Sequence, residues 1–438
     1  MVDSRPNGDS RSAGSTDLSP RGMSGRLLGY LLDAGCSVRY QIKTRGLENY
    51  TQSPSTLVVY NHRRDADTPI IGNVLFGHHG LLSKTARPTF VAREDLFRPG
   101  FLANYLDQWP SPVRSVLSHL GLQPFLWALQ AYPMRRIAER TLGEVLEDVL
   151  LLFGDLPLDQ VLKADWVKQF EQLAKPEDTP ITVQKALMFR FRPLLRQGYG
   201  LTKLTRQSFR AIKPHEREVI DAHLQLFVKL LESGESLQLA PEGAVSKDGG
   251  FARIRAGLHV LLNRPRTLVR VLPVGITYDF MTSGRSTVFL NIGQEMTDLR
   301  GLRSSDASAR VARAIWAQST ITASQLASQL LATIRNRGGT TTTESELLQY
   351  VASEAERWSE EGLYVDPRLL AKPEREKRMQ DYIEHCVRSG ELTPRTMGRY
   401  SLRSLDGNPD PAWWGDPKGQ INYINNEFTT LTRMVRST

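Results

Sequence analysis

The sequence predicts an α/β fold: a mixed, largely parallel central sheet flanked by helices, with a helical C-terminal appendage. Three observations predict it. Short apolar runs typical of buried strands recur through roughly the first 300 residues, amphipathic helical stretches separate them, and the strand-like runs then stop. Strands interleaved with helices favour parallel pairing, because a crossover helix brings the chain back to the end of the sheet at which the previous strand began.

Five segments have the composition of short buried strands. The clearest is an apolar run, TLVVY, that polar residues follow at once, as expected of a strand that ends in a loop. In chain order the predicted strands are Thr56–Tyr60, Pro88–Ala92, Ser236–Ala240, Thr267–Pro273 and Val288–Ile292.

Helical patterns and composition divide the chain further. Arg136–Phe153 and Glu216–Leu231 have helical periodicity, and Ser308–Ile334 predicts two more helices. We expect a disordered tail at residues 1–22, which are rich in Ser, Gly, Pro, Asp and Arg. We expect the strands and helices of residues 23–300 to form an α/β domain with a basic insertion at about 140–217. Residues 301–438 are expected to form the helical appendage.

The composition excludes several classes of protein. Of 438 residues, 40% are hydrophobic and 24% are charged, which excludes a wholly disordered, collagen-like or coiled-coil chain. Cys36 and Cys386 are far apart and form no CxxC pair, so neither a disulfide scaffold nor a thiolate zinc site is expected. The adjacent pair His78-His79 has no third ligand nearby, and we expect no metal site.

The location of the protein follows from two absences in its sequence. No apolar run reaches the roughly 18–20 residues that cross a bilayer, and the N-terminus lacks the basic and apolar regions of a secretory signal. We expect a cytoplasmic protein, peripheral at the inner face of a membrane.

The charge of the chain is concentrated in one segment. The formal net charge is +9, and Lys185–Arg217 holds nine basic residues, four aromatic residues and a single acid, Glu216. Such a segment suits an anionic partner, either a phospholipid surface or an acidic acyl carrier protein, although a solvated basic face would have the same composition. We expect Arg192, Arg196 and Arg206 to dock the acyl donor or the membrane. No recognised nucleic-acid motif accompanies the segment, so nucleic acid is not an expected partner.

The strongest local signal for chemistry is Asn61–Asp67 (NHRRDAD), which follows the first predicted strand. It places His62 on a loop at a strand end, where active sites of α/β proteins tend to lie, and Asp67 about one helical turn further on. A carboxylate bound to one ring nitrogen fixes the tautomer of a histidine and leaves the other nitrogen free to take a proton. Taken alone, the pair is weak evidence, and a helix-capping Asp beside a surface His is the better interpretation. A second strand-end element, Pro241-Glu242-Gly243, strengthens the catalytic interpretation.

With these residues in place, the sequence resembles the glycerolipid acyltransferase superfamily, which includes the glycerol-3-phosphate and lysophosphatidate acyltransferases. The resemblance consists of five short blocks in the family's order, and together they are more specific than any one of them. The matching residues are Asn61, His62 and Asp67; Ala92, Arg93, Glu94 and Leu96; Tyr132–Arg136; Pro241, Glu242, Gly243 and Ser246; and Val271–Val274.

The resemblance implies a reaction. It implies an O-acyltransferase in which His62, oriented by Asp67, removes the proton from a hydroxyl of a glycerol-phosphate or lysophospholipid-type acceptor. The oxygen then attacks the thioester of an acyl-CoA or acyl-carrier protein, and no protein nucleophile is needed. The acyl thioester donor is a co-substrate, so no cofactor is expected, and the lipid acceptor implies a membrane surface as a partner.

The resemblance also implies substrate-binding residues, and here the sequence departs from the family. Ala244 and Val245 stand where the family has Thr and Arg, and that Arg is expected to help hold the phosphate of the acceptor. Another guanidinium can replace it, since planar bidentate donors suit phosphate; alternatively, the acceptor carries no phosphate. The expected substrate-binding residues are Arg135, Arg136, Glu242, Gly243, Arg253 and Arg255, and for Glu242 the alternative role is to order its own loop.

Two other functions stay open on the sequence alone. One is a catalytically idle relative that binds an anionic membrane or protein partner through the basic segment. The retained His62, Asp67 and Glu242 argue against it. The other is a thioesterase, in which water replaces the acceptor alcohol.

Overall fold

A computed structural model describes most of the chain. The predicted disordered tail lies outside the described residues, and so do the side chains of His78 and His79. The described residues are 31–32, 34–51, 53–78, 89–98, 101, 121–137, 140–176, 179–396, 398–403 and 419–436.

A seven-stranded mixed sheet forms the centre of the fold, which confirms the predicted α/β class. Five neighbouring strands run parallel, β7 is antiparallel to β6, and β1 is parallel to β7. The order across the sheet is β1-β7-β6-β2-β5-β3-β4. The strands are β1 (Tyr40–Arg45), β2 (Thr56–Tyr60), β3 (Thr89–Arg93), β4 (Ala131–Met134), β5 (Leu237–Leu239), β6 (Arg270–Asp279) and β7 (Ser286–Ile292).

All five predicted strands are present in this sheet, and its two further strands, which the sequence did not predict, are the edge strands β1 and β4. An edge strand is paired on one side only and needs no continuous apolar run, so its sequence signal is weak. The strand β4 (AYPM) even tolerates Pro133, because one side of an edge strand makes no ladder hydrogen bonds. One prediction ended too early: β6 continues through Pro273 to Asp279.

Helices pack against both faces of the sheet. The predicted helix Arg136–Phe153 begins only at Leu142, because Thr141 and Glu144 form a capping box that fixes its first turn. The helices are α1 (Asp67–His78), α2 (Gln123–Ala128), α3 (Leu142–Phe153), α4 (Leu158–Val161), α5 (Ala164–Leu173), α6 (Val183–Ala186), α7 (Arg192–Leu195), α8 (Arg206–Glu232), α9 (Gly257–Asn263), α10 (Ser304–Ala317), α11 (Ala323–Asn336), α12 (Glu344–Glu360), α13 (Pro367–Leu370), α14 (Lys372–Arg388) and α15 (Gln420–Arg436).

The central strand β2 shows how the two faces are covered. Successive side chains of a strand point to opposite faces, so Val58 and Tyr60 enter one core and Leu57 and Val59 enter another. The first core also contains residues of α1, α11, α12, α14 and α15, and the second contains residues of α8, α9 and α10. The C-terminal helices therefore share a core with the sheet, and the domain boundary near residue 300 stays a prediction.

A third core belongs to the segment between β4 and β5. Its buried residues all lie between Leu142 and Ile212, in helices α3 to α7, the start of α8 and the turns between them. We call this segment, residues 142–212, the helical insert.

The C-terminal part contains strands that the sequence did not predict. Thr341–Thr343 (β8), Leu392–Pro394 (β9) and Arg399–Leu402 (β10) form a small antiparallel sheet in the order β8-β10-β9. Each strand has only three or four residues, of which one is buried, so no apolar strand pattern arises and the sequence indicated only helices here. Among the helices of the described residues, none combines the length and apolar composition that a bilayer crossing requires.

Candidate active site

The site begins where β2 leaves the sheet. Asn61 continues the ladder with its side chain: its Oδ1 accepts from the N–H of Ile276 and its Nδ2 donates to the Ile276 carbonyl, both at 2.9 Å. These two bonds replace the backbone pairing that ends at Tyr60 and fix the point at which the chain turns away. His62, the next residue, is thereby held at the carboxyl end of the parallel strands.

His62 is bound to Asp67 as the sequence spacing predicted. The ring Nδ1 lies 3.0 Å from Asp67 Oδ2, and the Asp67 side chain is completely buried at the first turn of α1. A buried carboxylate at Nδ1 favours the tautomer that carries its proton there. Nε2 is then the ring nitrogen that can accept a proton.

The Asp67 carboxylate is fixed by three further donors. The backbone N–H groups of Arg63 and Arg64 donate to its Oδ2 at 2.5 and 2.8 Å, and the Tyr278 hydroxyl donates to its Oδ1 at 2.6 Å. Burial and the neighbouring Asp67 charge raise the pKa of Tyr278 well above its ordinary value, so this hydroxyl keeps its proton and remains a donor. The carboxylate thus has a single orientation, and so does the imidazole bound to it.

Glu242 connects the loop that carries His62 (residues 61–66, the histidine loop) to the loop that follows β5. Its Oε1 accepts from the His62 N–H at 3.1 Å and its Oε2 accepts from the Ala252 N–H at 2.9 Å. The side chain is completely buried, and burial raises the pKa of its carboxyl more than the nearby Arg63 charge and the two N–H donors lower it. Both oxygens are therefore used inside the protein, as the loop-ordering role requires.

Gly243 closes the turn after Glu242. Its φ is +78°, a left-handed conformation that favours glycine, and a Cβ there would lie 3.2 Å from Cγ of Arg255. Its N–H donates to the Ala240 carbonyl at 3.0 Å, and Arg255 Nε donates to the Glu242 carbonyl at 3.1 Å. The turn is thus closed by backbone atoms and by Arg255.

The C-terminal helix α15 packs behind the histidine loop. At Gly249, where φ is +83°, a Cβ would lie 2.0 Å from the carbonyl oxygen of Tyr423. The buried Arg63 guanidinium donates to the Gly249 carbonyl at 2.9 Å. Burial raises the pKa of Glu427 on α15, although the Arg63 charge acts in the opposite direction. Arg63 thus binds the loop after β5, and that loop in turn lies directly against α15.

His62 lies on the wall of a large cleft of about 1330 Å³. One part of the lining is apolar and comes from both sides of the strand ends. It includes Phe90, Leu129, Phe227, Leu239, Leu258 and Leu261. The histidine thus lies beside a cavity that can hold an apolar chain.

The predicted substrate-binding arginines do not all reach this cleft. Arg135 is buried, and its guanidinium is bound by Glu94 at 2.7 and 2.8 Å and by Asp148 at 3.0 Å. It does not line the cleft, and neither does the exposed Arg253. Arg136 and Arg255 do line it, together with His62.

The predicted docking arginines are also divided. Arg192, the first residue of α7, and Arg196, directly after its last residue, line the cleft. Arg206 is exposed at the start of α8 and does not line it. The basic segment therefore supplies cations both to the cleft and to the exposed surface of α8.

The sequence missed Tyr278 and the side chain of Arg63. Tyr278 lies on the part of β6 beyond Pro273, where the predicted strand stopped. If the predicted strand had been extended to residue 279, the Tyr278 hydroxyl would have been expected to lie beside the end of β2. For Arg63, no local signal exists, because its partners come from α10 and from the loop after β5. Within the described residues, no group of three or more His, Cys, Asp or Glu side chains is arranged to hold a metal ion.

Comparison with known proteins adds little. No protein-family model matches the chain, and no curated protein matches its sequence. Among solved structures, the chain is similar to the 1-acyl-sn-glycerophosphate (LPA) acyltransferase PlsC from Thermotoga maritima, at 14% identity and a TM-score of 0.32, over 66% of this chain and 76% of that one. A likeness at this level carries no evidence about function.

Proposed function

We propose that the protein is an O-acyltransferase that uses His62 as its general base. Nε2 takes the proton from an acceptor hydroxyl while the oxygen forms a bond to the acyl carbon of a thioester. The carbon–sulfur bond breaks, and the leaving thiolate takes the proton back from His62. The donor is an acyl-CoA or acyl-carrier-protein thioester, and the acceptor is a hydroxyl of a glycerol-phosphate or lysophospholipid-type molecule.

One observation carries the proposal: a histidine oriented by a fully buried carboxylate lies on the wall of a partly apolar cleft. An oriented imidazole is the group expected of a general base, and base assistance contributes on the order of 10²–10⁴ to a rate. The cleft exceeds the roughly 300–1,000 Å³ of common small-molecule sites. This size suits two substrates of which one carries a long apolar chain.

The cations of the cleft support anionic substrates. Arg136 and Arg255 line it near the strand ends, and Arg192 and Arg196 line it from the helical insert. CoA and the prosthetic group of acyl carrier proteins both carry phosphate, as do glycerol phosphates, and guanidinium groups bind phosphate well. In this proposal Arg135, Glu242 and Gly243 support the site without binding substrate.

The test is release of free thiol from acyl-CoA and from acyl-carrier protein. Each donor is assayed with no acceptor, with glycerol 3-phosphate, with a lysophospholipid and with monoacylglycerol. His62→Ala is compared with the wild type, and His259→Ala is the matched control. His259 contacts Asn263 one turn along α9 and does not line the cleft.

The proposal expects acceptor-dependent release that His62→Ala loses and His259→Ala retains. Release that needs no acceptor would identify a thioesterase. Equal rates for His62→Ala and wild type would show that His62 is not the base. The phosphate-free acceptor separates the two alternatives for the acceptor: preference for glycerol 3-phosphate over monoacylglycerol, lost in Arg136→Ala or Arg255→Ala, would assign those guanidinium groups to a phosphate.

A further inference from the structure

The long helix α8 carries a stripe of four exposed cations. Arg206, Arg210, Lys213 and Arg217 are spaced four, three and four residues apart, which places them on one face of the helix. Phe209 is 37% exposed beside them, and the Lys213 ammonium lies 6.0 Å from the centre of its ring. We call these four cations the basic stripe.

Within the part of the chain that the structure describes, no carboxylate forms an ion pair with the basic stripe. Glu216, the only acid of the segment Lys185–Arg217, is buried and binds Arg140. Its charge is used inside the protein, so it leaves the stripe uncompensated. An uncompensated cluster of cations attracts an anionic surface over about a Debye length.

Other cations of the segment have different positions. Lys203 is buried and donates to the Gln197 carbonyl at 3.2 Å, and Arg192 and Arg196 line the cleft. Lys185 and Arg190 are partly buried, so the four exposed cations of the segment are those of the basic stripe. The attraction of an outside surface therefore falls to the basic stripe.

The same helical insert exposes large apolar side chains near the cleft. Leu151 is 79% exposed and lines the cleft together with Arg192. Phe189 is 76% exposed and lies 5.3 Å from the Arg192 guanidinium. Apolar side chains beside cations are typical of surfaces that enter the boundary between lipid headgroups and acyl chains. A purely electrostatic partner would give no reason to expose them.

We propose that the basic stripe docks the protein on a bilayer surface of anionic phospholipid. The stripe contacts the lipid phosphates, and Leu151 and Phe189 bring the cleft to the lipid. This inference rests on the proposed function for its purpose, but docking itself is measured without catalysis. Each cation near an anionic leaflet contributes a factor of about five to binding, so four contribute on the order of several hundredfold.

The test is co-sedimentation of the full chain with vesicles of phosphatidylcholine alone or mixed with phosphatidylglycerol. The variant replaces all four stripe residues by glutamine, which preserves helix propensity. The matched control makes the same change in charge elsewhere, at exposed positions of α14 and the turn after α11: Arg337→Gln, Lys372→Gln, Lys377→Gln and Arg388→Gln.

The proposal expects wild type and control to bind the phosphatidylglycerol vesicles alike, with affinity that falls as salt rises, and the stripe variant to lose most of that binding. Absence of vesicle binding by the wild type, or equal binding by the variant and control, would overturn it. Unchanged vesicle binding by the stripe variant with slower thiol release from acyl-carrier protein alone would also overturn it, and would identify the carrier as the partner.

A separate result tests the function. Wild-type vesicle binding that depends on the stripe, in a protein that releases no thiol from any donor, supports the docking surface while it contradicts the acyltransferase.

Discussion

Replacement of Asp67 by asparagine is the most direct test of how the site is built. Asparagine has the shape of aspartate, and with its oxygen at the Oδ2 position it still accepts from His62 and from the N–H groups of Arg63 and Arg64. Its amide group then faces the Tyr278 hydroxyl, which can rotate and accept. The fold of the loop is kept, but the negative charge that stabilises a protonated His62 is lost.

The size of the effect follows from these contacts. Loss of charge assistance weakens each hydrogen bond at position 67 by about 1 kcal/mol, so we expect a fall of a few kcal/mol in the free energy of unfolding. The rate should fall much further, by about 10²–10⁴ in kcat, because the imidazolium formed during proton transfer has lost its counter-charge. Urea unfolding measures the first quantity, and thiol release at saturating donor and acceptor measures the second.

Tyr278→Phe is the matched control. It removes one donor from the same carboxylate and leaves the charge in place, so it should reduce stability by about 1.5–3 kcal/mol while kcat changes far less than in Asp67→Asn. A folded Asp67→Asn protein with the kcat of the wild type would refute the role of Asp67. Equal losses of kcat in the two variants would show that loop position, and not the charge, limits the rate.

Three further outcomes follow from buried contacts. Burial alone would raise the pKa of Asp279, but the charge and hydrogen bonds of Arg378 outweigh it and lower that pKa to about 2. At pH values above the ordinary carboxyl pKa the pair should therefore stabilise the fold by about 2 kcal/mol, and this contribution should be lost as the pH falls toward 2. The free energies of unfolding of wild type and Asp279→Asn, measured by urea titration, should converge at low pH. A difference between them that stays constant with pH would contradict this expectation. Gly249→Ala should lower both the melting temperature and the rate of thiol release, because a Cβ would collide with the Tyr423 carbonyl. An unchanged melting temperature would show that α15 can shift to make room for the methyl group. Burial raises the pKa of the Cys386 thiol, so it should react with an alkylating reagent only after unfolding, as mass spectrometry can show.

The sequence by itself determined the central part of the sheet and the histidine–carboxylate pair. The largely apolar run Thr56–Tyr60 is buried at every position because its strand is covered on both faces, and such a run identifies a central strand without knowledge of its neighbours. His62 and Asp67 are close in sequence, so their contact depends mainly on the local turn into α1. Local contacts of this kind are the ones that a sequence can predict.

Only the tertiary structure decided which charged residues are available at the site. Arg135 and Arg136 are neighbours in sequence, yet the carboxylates of Glu94, directly after β3, and of a residue of α3 bind the first, while the second lines the cleft. Arg192 and Arg206 belong to one basic segment, yet they lie in the cleft and on the outer face of α8, respectively. The partners that separate them come from distant parts of the chain, and composition and spacing carry no information about such partners. Sequence therefore determined the types of residue present, and long-range packing determined the role of each.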